Sequence, residues 1–169
     1  GTFMRERLSL YDSKSGERGI YSSLARKHHV NDINTRNRDK NGTYIQRRVG
    51  RDDFGTNPCS EIILRSREFC NLSEVVLRSD DTLQSIKDKV RIATILGTFQ
   101  STLTDFKYLS REWSRNCDEE RLLGVSLTGI LDCELTNGVK DGLKKRLNQL
   151  RDIAVETNRE WSEKLGIPR

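Results

Sequence analysis

A strand–helix–strand pattern in the middle of the chain constrains the fold most strongly. Apolar residues recur at spacings of three and four along a central stretch, at Leu83, Ile86, Val90, Ala93, Leu96, Phe99 and Leu103. This periodicity predicts one long helix whose apolar stripe packs on a sheet. Residues 69–77 and 121–130, on either side of it, are apolar runs that predict strands. Strands that alternate with long helices favour an α/β fold.

The ends of the predicted elements carry their own signals. Asp81, with Gln84 three residues later, forms a capping-box pattern that predicts the start of the central helix. A last helix is predicted from about Lys140 to Leu165, with Gly166 as its stop signal. Shorter helices are predicted over residues 17–29 and 108–113, a short strand over 61–64 and a turn over 12–16.

Residues 30–56 are predicted to form a long loop, with a short strand near residues 44–46, because Asn, Asp, Arg and Gly dominate there. The overlapping stretch 26–51 holds eight Lys and Arg residues against two Asp, a net charge of +6, and the chain as a whole is +5, so the rest of the chain is about neutral. Such a basic loop could bind nucleic acid or nucleotide phosphates. The favoured interpretation is a solvated variable loop. Tyr44 is the one aromatic residue of the stretch, and proteins that stack nucleic-acid bases use several aromatic side chains.

Composition places the chain among globular proteins of about one domain, with 34% apolar and 33% charged residues. No apolar run approaches the ~18 residues that a membrane span needs, and no signal peptide opens the chain, so we expect a cytoplasmic protein. The four cysteines (Cys59, Cys70, Cys117 and Cys133) contain no C-x-x-C pair, and the two histidines are adjacent. We therefore expect no metal site and reduced thiols. Because the chain begins without methionine, we expect a piece of a longer polypeptide.

The run Asn57-Pro58-Cys59-Ser60-Glu61 is the strongest candidate for chemistry. In an extended chain the side chains of Asn57, Cys59 and Glu61 would point to one face, although Pro58 can bend the run. An amide, a thiol and a carboxylate suit redox or radical work on a hydroxylated substrate. They suit acyl transfer less well, because no histidine lies nearby to activate a nucleophile.

Five ordered stretches resemble the catalytic subunit of ribonucleotide reductase, most closely its adenosylcobalamin-dependent branch. The two most specific are GTNPCSEIIL at 55–64 and FCNLSEV at 69–75. The others are DSKSGERGI at 12–20, TILGTFQ at 94–100 and EERLLGVSLTG at 119–129, and the end of the last helix is also similar. The resemblance spans nearly the whole chain except for the basic stretch.

The resemblance implies a fold and a set of roles. The chain would be an internal fragment, over residues 1–169, of a ten-stranded α/β barrel with a central finger loop, and residues 30–51 would form a basic variable loop. Cys59 would be the thiyl-radical residue that abstracts the ribose 3′-hydrogen. Asn57 would bind the sugar hydroxyl, Glu61 would take the 3′-OH proton, and Ser60 would belong with both of them to the substrate-binding set. Cys70 would be one half of the redox pair that reduces the substrate.

The same resemblance implies partners that lie beyond the chain. Ribonucleotide would be the substrate, adenosylcobalamin the cofactor, and nucleotide effectors and a thioredoxin-type reductant the further partners. In the family the thiol that pairs with Cys70 lies upstream of Gly1, and the phosphate-binding stretch would follow Arg169, so the fragment alone is expected to be inactive. Cys117 and Cys133 match no functional cysteine and are expected to be structural. Two alternatives stay open: a chain that uses a partner subunit's radical, and a non-catalytic basic module that binds nucleotide or nucleic acid.

Overall fold

The structure is a computed structural model that describes residues 1–14, 21–36, 54–138 and 141–168, with the backbone alone for 31–36. The chain divides into two compact units, Gly1–Ile63 and Leu64–Arg169. The predicted strand at 44–46 and most of the basic stretch lie outside the described residues. Of the helices within the described ranges, none combines the length and the apolar character needed to cross a bilayer.

The first unit contains two helices and the first strand of a short pair, and the second strand of that pair begins at the last residue of the unit, Ile63. Helix α1 (Thr2–Ser13) has no buried residue and ends at Lys14, whose φ of 50° is left-handed. Helix α2 (Ser23–Arg36) is followed by strand β1 (Phe54–Thr56), which pairs with β2 (Ile63–Arg65). The carbonyl of Phe54 accepts hydrogen bonds from the Tyr21 hydroxyl at 2.9 Å and from the Arg26 guanidinium at 2.8 Å. These two bonds attach β1 to the start of α2.

The second unit is built on a parallel strand pair with helices between and after its strands. Strand β3 (Asn71–Val76) pairs in parallel with β4 (Leu123–Thr128), with Asn71 opposite Leu123. Helices α3 (Leu83–Gln100) and α4 (Arg111–Glu120) connect the strands, as parallel pairing requires a long crossover. Helix α5 (Leu143–Leu165) follows β4 and packs along α3.

One hydrophobic core holds the second unit together. Its buried members come from β3, α3, α5 and the turn after β4: Val75, Leu77, Ile86, Val90, Ala93, Cys133 and Leu150. Burying a side chain of the size of Leu or Ile contributes about 1.5–3 kcal/mol. The strand–helix–strand prediction is therefore confirmed in this unit, and Cys133 is a core residue as expected.

The predicted stripe of the central helix is only half right. Ile86, Val90 and Ala93 are buried, but Leu96, Phe99 and Leu103 are exposed. The buried side of α3 continues instead through Thr94, Gly97 and Thr98. An added Cβ at Gly97 would lie 2.1 Å from a methyl carbon of Leu123, and the Thr98 hydroxyl accepts a 3.0 Å hydrogen bond from Asn158 on α5. Small and polar residues therefore replace large apolar ones where β4 and α5 come closest to α3.

Several predicted boundaries are corrected. The helix predicted at 17–29 begins at Ser23 and continues to Arg36, so the loop prediction is wrong for residues 30–36. Thr82 and Ser85, rather than Asp81 and Gln84, form the capping box of α3. The helix predicted at 108–113 lies at Arg111–Glu120, and α1 was not predicted.

The strands of the described residues form two separate two-stranded sheets, neither of them closed. The strand predicted at 61–64 begins two residues later, at Ile63. Cys59 precedes β2 and Cys70 precedes β3. Because β2 and β3 belong to different sheets, the two cysteines do not lie on neighbouring strands of one sheet. The ten-stranded barrel remains a prediction.

Candidate functional site

Residues 57–62 form a tight turn between β1 and β2 rather than an extended strand. The Asn57 N–H donates to the Ile62 carbonyl at 3.2 Å, and the Ser60 N–H donates to the Asn57 carbonyl at 3.0 Å. Ser60 has a φ of 66°, a left-handed conformation that is uncommon for a residue other than glycine. The predicted alternation of side chains along a strand is therefore wrong here, because the backbone reverses within the motif.

The turn nevertheless brings the amide and the carboxylate of the motif together. The Nδ2 of Asn57 donates a short hydrogen bond to Oε1 of Glu61. The Oδ1 of Asn57 accepts from the Ile62 N–H at 3.1 Å. Both ends of the Asn57 amide are thus engaged, and the amide holds the Glu61 carboxylate on the turn.

Cys59 lies between these two residues, and its side chain is exposed. Ser60 and Glu61 are exposed too, whereas Asn57 is half-buried. A carboxylate can accept a proton, an amide can bind a hydroxyl, and a thiol can donate a hydrogen atom or act as a nucleophile. The turn therefore presents three different chemical groups to solvent within five residues.

Cys70, the fifth predicted site residue, belongs to the second unit and immediately precedes β3. It is half-buried and lines a pocket of about 270 Å³. The other lining residues are two aromatic rings, one aliphatic side chain, four polar residues and a second thiol: Phe69, Phe106, Leu103, Asn71, Gln100, Ser101, Thr104 and Cys117. Phe69 stacks on Trp113 at 4.5 Å between ring centroids and meets Phe106 edge-on at 5.2 Å.

The second thiol is one that sequence reasoning set aside as structural. Cys117 on α4 is buried, and its Sγ accepts a hydrogen bond from the Phe69 N–H at 3.3 Å. Burial raises the pKa of the Cys117 thiol, the Phe69 N–H opposes that shift, and the charges of Glu68 and Glu120 add to it. No sequence signal marked this cysteine, because 46 residues separate it from Cys70 and no spacing motif relates the two.

Helix α4 holds the segment that precedes Cys70. The side-chain amide of Asn116 donates to the carbonyls of Ser66 and Arg67 at 2.9 and 3.3 Å. Together with the bond to the Cys117 sulfur, these contacts hold the backbone of residues 66, 67 and 69. The position of Cys70 therefore depends on side chains that lie almost fifty residues further along the chain.

A buried charge cluster supports the same segment. Arg65 forms ion pairs with Glu119 at 2.5 Å and, more closely, with Glu120, which is buried. The Arg65 N–H also donates to the carboxylate of buried Glu68 at 2.7 Å. Burial alone would lower the pKa of Arg65, but the hydrogen bond to Glu119 and the charges of Glu120 and Glu68 outweigh it and raise that pKa. The guanidinium therefore stays charged and neutralises the buried carboxylates.

Adenosylcobalamin does not fit the pocket beside Cys70 and stays a prediction for the complete protein. The pocket beside Cys70 is smaller than the ~300–1,000 Å³ typical of drug-sized ligands, and a corrinoid is larger than such ligands. The chain's two histidines, His28 and His29, are exposed on α2. Within the part of the chain that the structure describes, no group of three metal-ligating side chains could hold a metal ion.

The basic stretch yields one structural finding. Arg26, its first cation, is buried and bonded to the Phe54 carbonyl, so it supports the first unit rather than presenting charge to a ligand. Residues 37–51, which carry five of its eight cations, lie outside the described residues. The nucleic-acid or nucleotide module therefore stays a prediction.

Comparison of the chain with protein-family models, with curated proteins and with solved structures found no match.

Proposed function

We propose that this chain is part of a ribonucleotide reductase catalytic chain and supplies its radical loop and one of its redox thiols. The observation that carries the proposal is the turn at 57–62, where the Asn57 amide holds the Glu61 carboxylate and Cys59 lies between them. Sugar binding, proton removal and hydrogen abstraction need these three groups within reach of one ribose. A single turn provides all of them.

The proposed roles follow from the chemistry of each group. The sulfur of Cys59, as a thiyl radical, takes the hydrogen atom from C3′ of the ribose and becomes a thiol. The Glu61 carboxylate takes the proton of the 3′-hydroxyl, which increases electron density at the neighbouring carbon and favours loss of the 2′-hydroxyl as water. Cys70 and a second thiol supply the two electrons and two protons that complete the reduction, and they end as a disulfide.

Asn57 and Ser60 have the supporting roles in this proposal. Asn57 keeps Glu61 in place through Nδ2, and the same NH₂ group has a second N–H with which it can bind a sugar hydroxyl. Ser60, which is exposed and has a left-handed backbone, lies between Cys59 and Glu61 in the turn and completes the proposed substrate-binding set. Because solvent quenches a thiyl radical, the exposed Cys59 must be covered by substrate and by further parts of the complete protein during turnover.

The test uses the complete protein that contains this sequence. Cys59→Ser is expected to abolish formation of deoxyribonucleotide while nucleotide binding stays nearly unchanged, because a hydroxyl does not replace a thiol as hydrogen-atom donor. Cys133→Ala is the matched control, since Cys133 is a core residue of the other unit and has no proposed role. Substantial ribonucleotide reduction by the Cys59→Ser protein would refute the proposal.

A second measurement separates the two branches of the enzyme class. Activity that depends on added adenosylcobalamin would support the cobalamin-dependent branch, which the spacing of Cys59 and Cys70 resembles. Activity that depends instead on a partner subunit would support the alternative branch. The residues proposed here keep their roles in either case, because both branches act on the ribose through a cysteine radical.

A further inference from the structure

Two thiols of the second unit line the same pocket. Cys70 is half-buried before β3, and Cys117 is buried on α4. The Cys117 sulfur lies 3.3 Å from the backbone nitrogen of Phe69, the residue directly before Cys70. Neither Cys59, which belongs to the other unit, nor Cys133, which lies in the core, shares this pocket.

We propose that Cys70 and Cys117 form a thiol–disulfide exchange site that a small-molecule disulfide oxidises to an intramolecular bridge. The site is distinct from the redox pair proposed above, in which the second thiol lies outside this chain. The proposed site gives a function to Cys117, which matched no functional cysteine in the sequence and has no role in the proposed reaction.

The bridge requires a movement of the segment that precedes Cys70. Standard bond lengths place the Cys117 sulfur within about 8–9 Å of the Cys70 Cα, given its 3.3 Å distance from the Phe69 nitrogen. The same reasoning puts the Cα atoms of Cys70 and Cys117 within about 11 Å of each other, and a disulfide needs them within about 7 Å, so the segment moves by up to about 4 Å. Residues 66–70, which would move, have no helix or strand structure. The contacts that hold this segment to α4 are the bond from the Phe69 N–H to the sulfur, the Asn116 bonds to residues 66 and 67, and the stacking of Phe69 on Trp113.

Burial sets the order of the two steps. Cys70 is partly open to solvent, so it meets the reagent first, whereas 7% of Cys117 is exposed. The raised pKa of the Cys117 thiol, caused first by burial, also keeps that sulfur protonated and slow to attack an external disulfide. Exchange therefore starts at Cys70, and Cys117 acts as the resolving thiol.

The chemistry balances with glutathione disulfide as oxidant. The Cys70 thiolate attacks one sulfur of glutathione disulfide, which forms a mixed disulfide and releases one glutathione. Cys117 then loses its proton and attacks the Cys70 sulfur, which forms the Cys70–Cys117 bridge and releases the second glutathione. The protein loses two hydrogen atoms and two electrons, and the glutathione disulfide gains them.

One consequence rests on the proposed function. If Cys70 supplies reducing equivalents to a ribonucleotide, a bridge to Cys117 withdraws it from the reaction. Oxidised glutathione would then inactivate the enzyme reversibly, and a dithiol reductant would restore it. The inactivation would respond to the thiol redox state of the cell without any change at Cys59.

The test is a disulfide map of this chain after equilibration with mixtures of reduced and oxidised glutathione. Trypsin places the four cysteines in four different peptides, since Lys or Arg residues separate them all. We expect the wild-type chain to lose two free thiols together, with the mass change of two hydrogen atoms and a Cys70–Cys117 cross-linked peptide. Circular dichroism before and after oxidation checks that the chain stays folded.

The single variants give the matched controls. Cys117→Ala is expected to stop at the mixed disulfide, with glutathione on Cys70, and Cys70→Ala is expected to leave Cys117 as a free thiol. Cys133→Ala is expected to form the bridge as the wild type does. A bridge between Cys70 and Cys59, or glutathione on Cys70 with Cys117 free in the wild-type chain, would overturn the proposal.

The map and the enzyme assay fail independently. The map needs no nucleotide, so it stands if the complete protein proves not to reduce ribonucleotides. In the complete protein, Cys117→Ala is expected to lose the reversible inactivation by oxidised glutathione, with the turnover of each protein compared with its own value under a dithiol reductant. Equal inactivation of the wild type and Cys117→Ala would show that the bridge, even where it forms, does not control activity.

Discussion

Replacement of Gly129 by alanine should destabilise the second unit far more than the same replacement at Gly138. Both glycines have left-handed backbone, with φ of 74° and 68°. Alanine in that conformation costs roughly 1–2 kcal/mol. The two sites differ in their surroundings. A Cβ at Gly129 would lie 2.4 Å from the Leu77 carbonyl oxygen, whereas no atom of the described residues lies within 4 Å of one at Gly138.

The clash at Gly129 adds to the conformational cost because its partner is backbone. Leu77 is fully buried, and its N–H donates to the Thr128 carbonyl at 2.9 Å, so the end of β3 cannot move without loss of that contact. Overpacking in a core costs about 1–3 kcal/mol, and a weakened hydrogen bond costs about 0.5–1.5 kcal/mol. We therefore expect Gly129→Ala to lower the free energy of unfolding by about 3–5 kcal/mol and Gly138→Ala by about 1–2 kcal/mol.

Urea unfolding followed by tryptophan fluorescence measures this difference in the intact chain. Both tryptophans, Trp113 and Trp161, lie in the second unit, so the signal reports that unit alone. Equal destabilisation by the two substitutions would refute the packing of Leu77 against the end of β4. A large loss in Gly138→Ala alone would refute the description of that turn as open.

Three further predictions concern the turn and the charge clusters. Glu61→Gln should lower the rate of ribonucleotide reduction in the complete protein by about 10²–10⁴-fold, which is the usual contribution of a general base. A steady-state rate within a factor of about two of the wild-type rate would exclude that role for Glu61. The hydrogen bond from the Lys89 ammonium, with those from Ser and backbone donors, lowers the pKa of Asp81 from 3.8 to about 2. The contribution of Asp81 to stability is therefore complete above pH 4 and is lost as the pH falls towards 2. Urea titrations should show a smaller loss of stability over that pH range in Asp81→Asn than in wild type, and the same loss as wild type in the exposed control Asp80→Asn. Arg65→Ala should cost about 3–5 kcal/mol, because it removes the positive charge beside two buried carboxylates. Arg67→Ala, which breaks an exposed pair, should cost about 0–1 kcal/mol in the same titration.

The sequence was most informative where a periodic pattern extended over many residues. The stripe from Leu83 to Ala93 and the apolar runs at 69–77 and 121–130 predicted the strand–helix–strand arrangement of the second unit. The prediction failed beyond Ala93, because the close approach of Leu123 at Gly97 is a tertiary contact. Periodicity identifies which residues can be buried, but the neighbouring elements determine which of them are.

The residues of the candidate site were proposed from the sequence, but their arrangement was not predicted correctly. Asn57 and Glu61 were expected on one face of an extended run, and they meet instead through a turn with Ser60 at positive φ. The proline in the motif was the available signal for that bend. Cys117 could not have been found, because its relation to Cys70 depends on how α4 packs against residues 66–69.

The most direct test of the proposed chemistry uses a ribonucleotide that carries deuterium at C3′. The complete protein should convert it to deoxyribonucleotide more slowly than the unlabelled substrate, because Cys59 must break the bond from C3′ to the isotope. The Cys59→Ser protein should convert neither substrate. Deoxyribonucleotide formation by the Cys59→Ser protein would contradict the assignment of Cys59 as the radical residue.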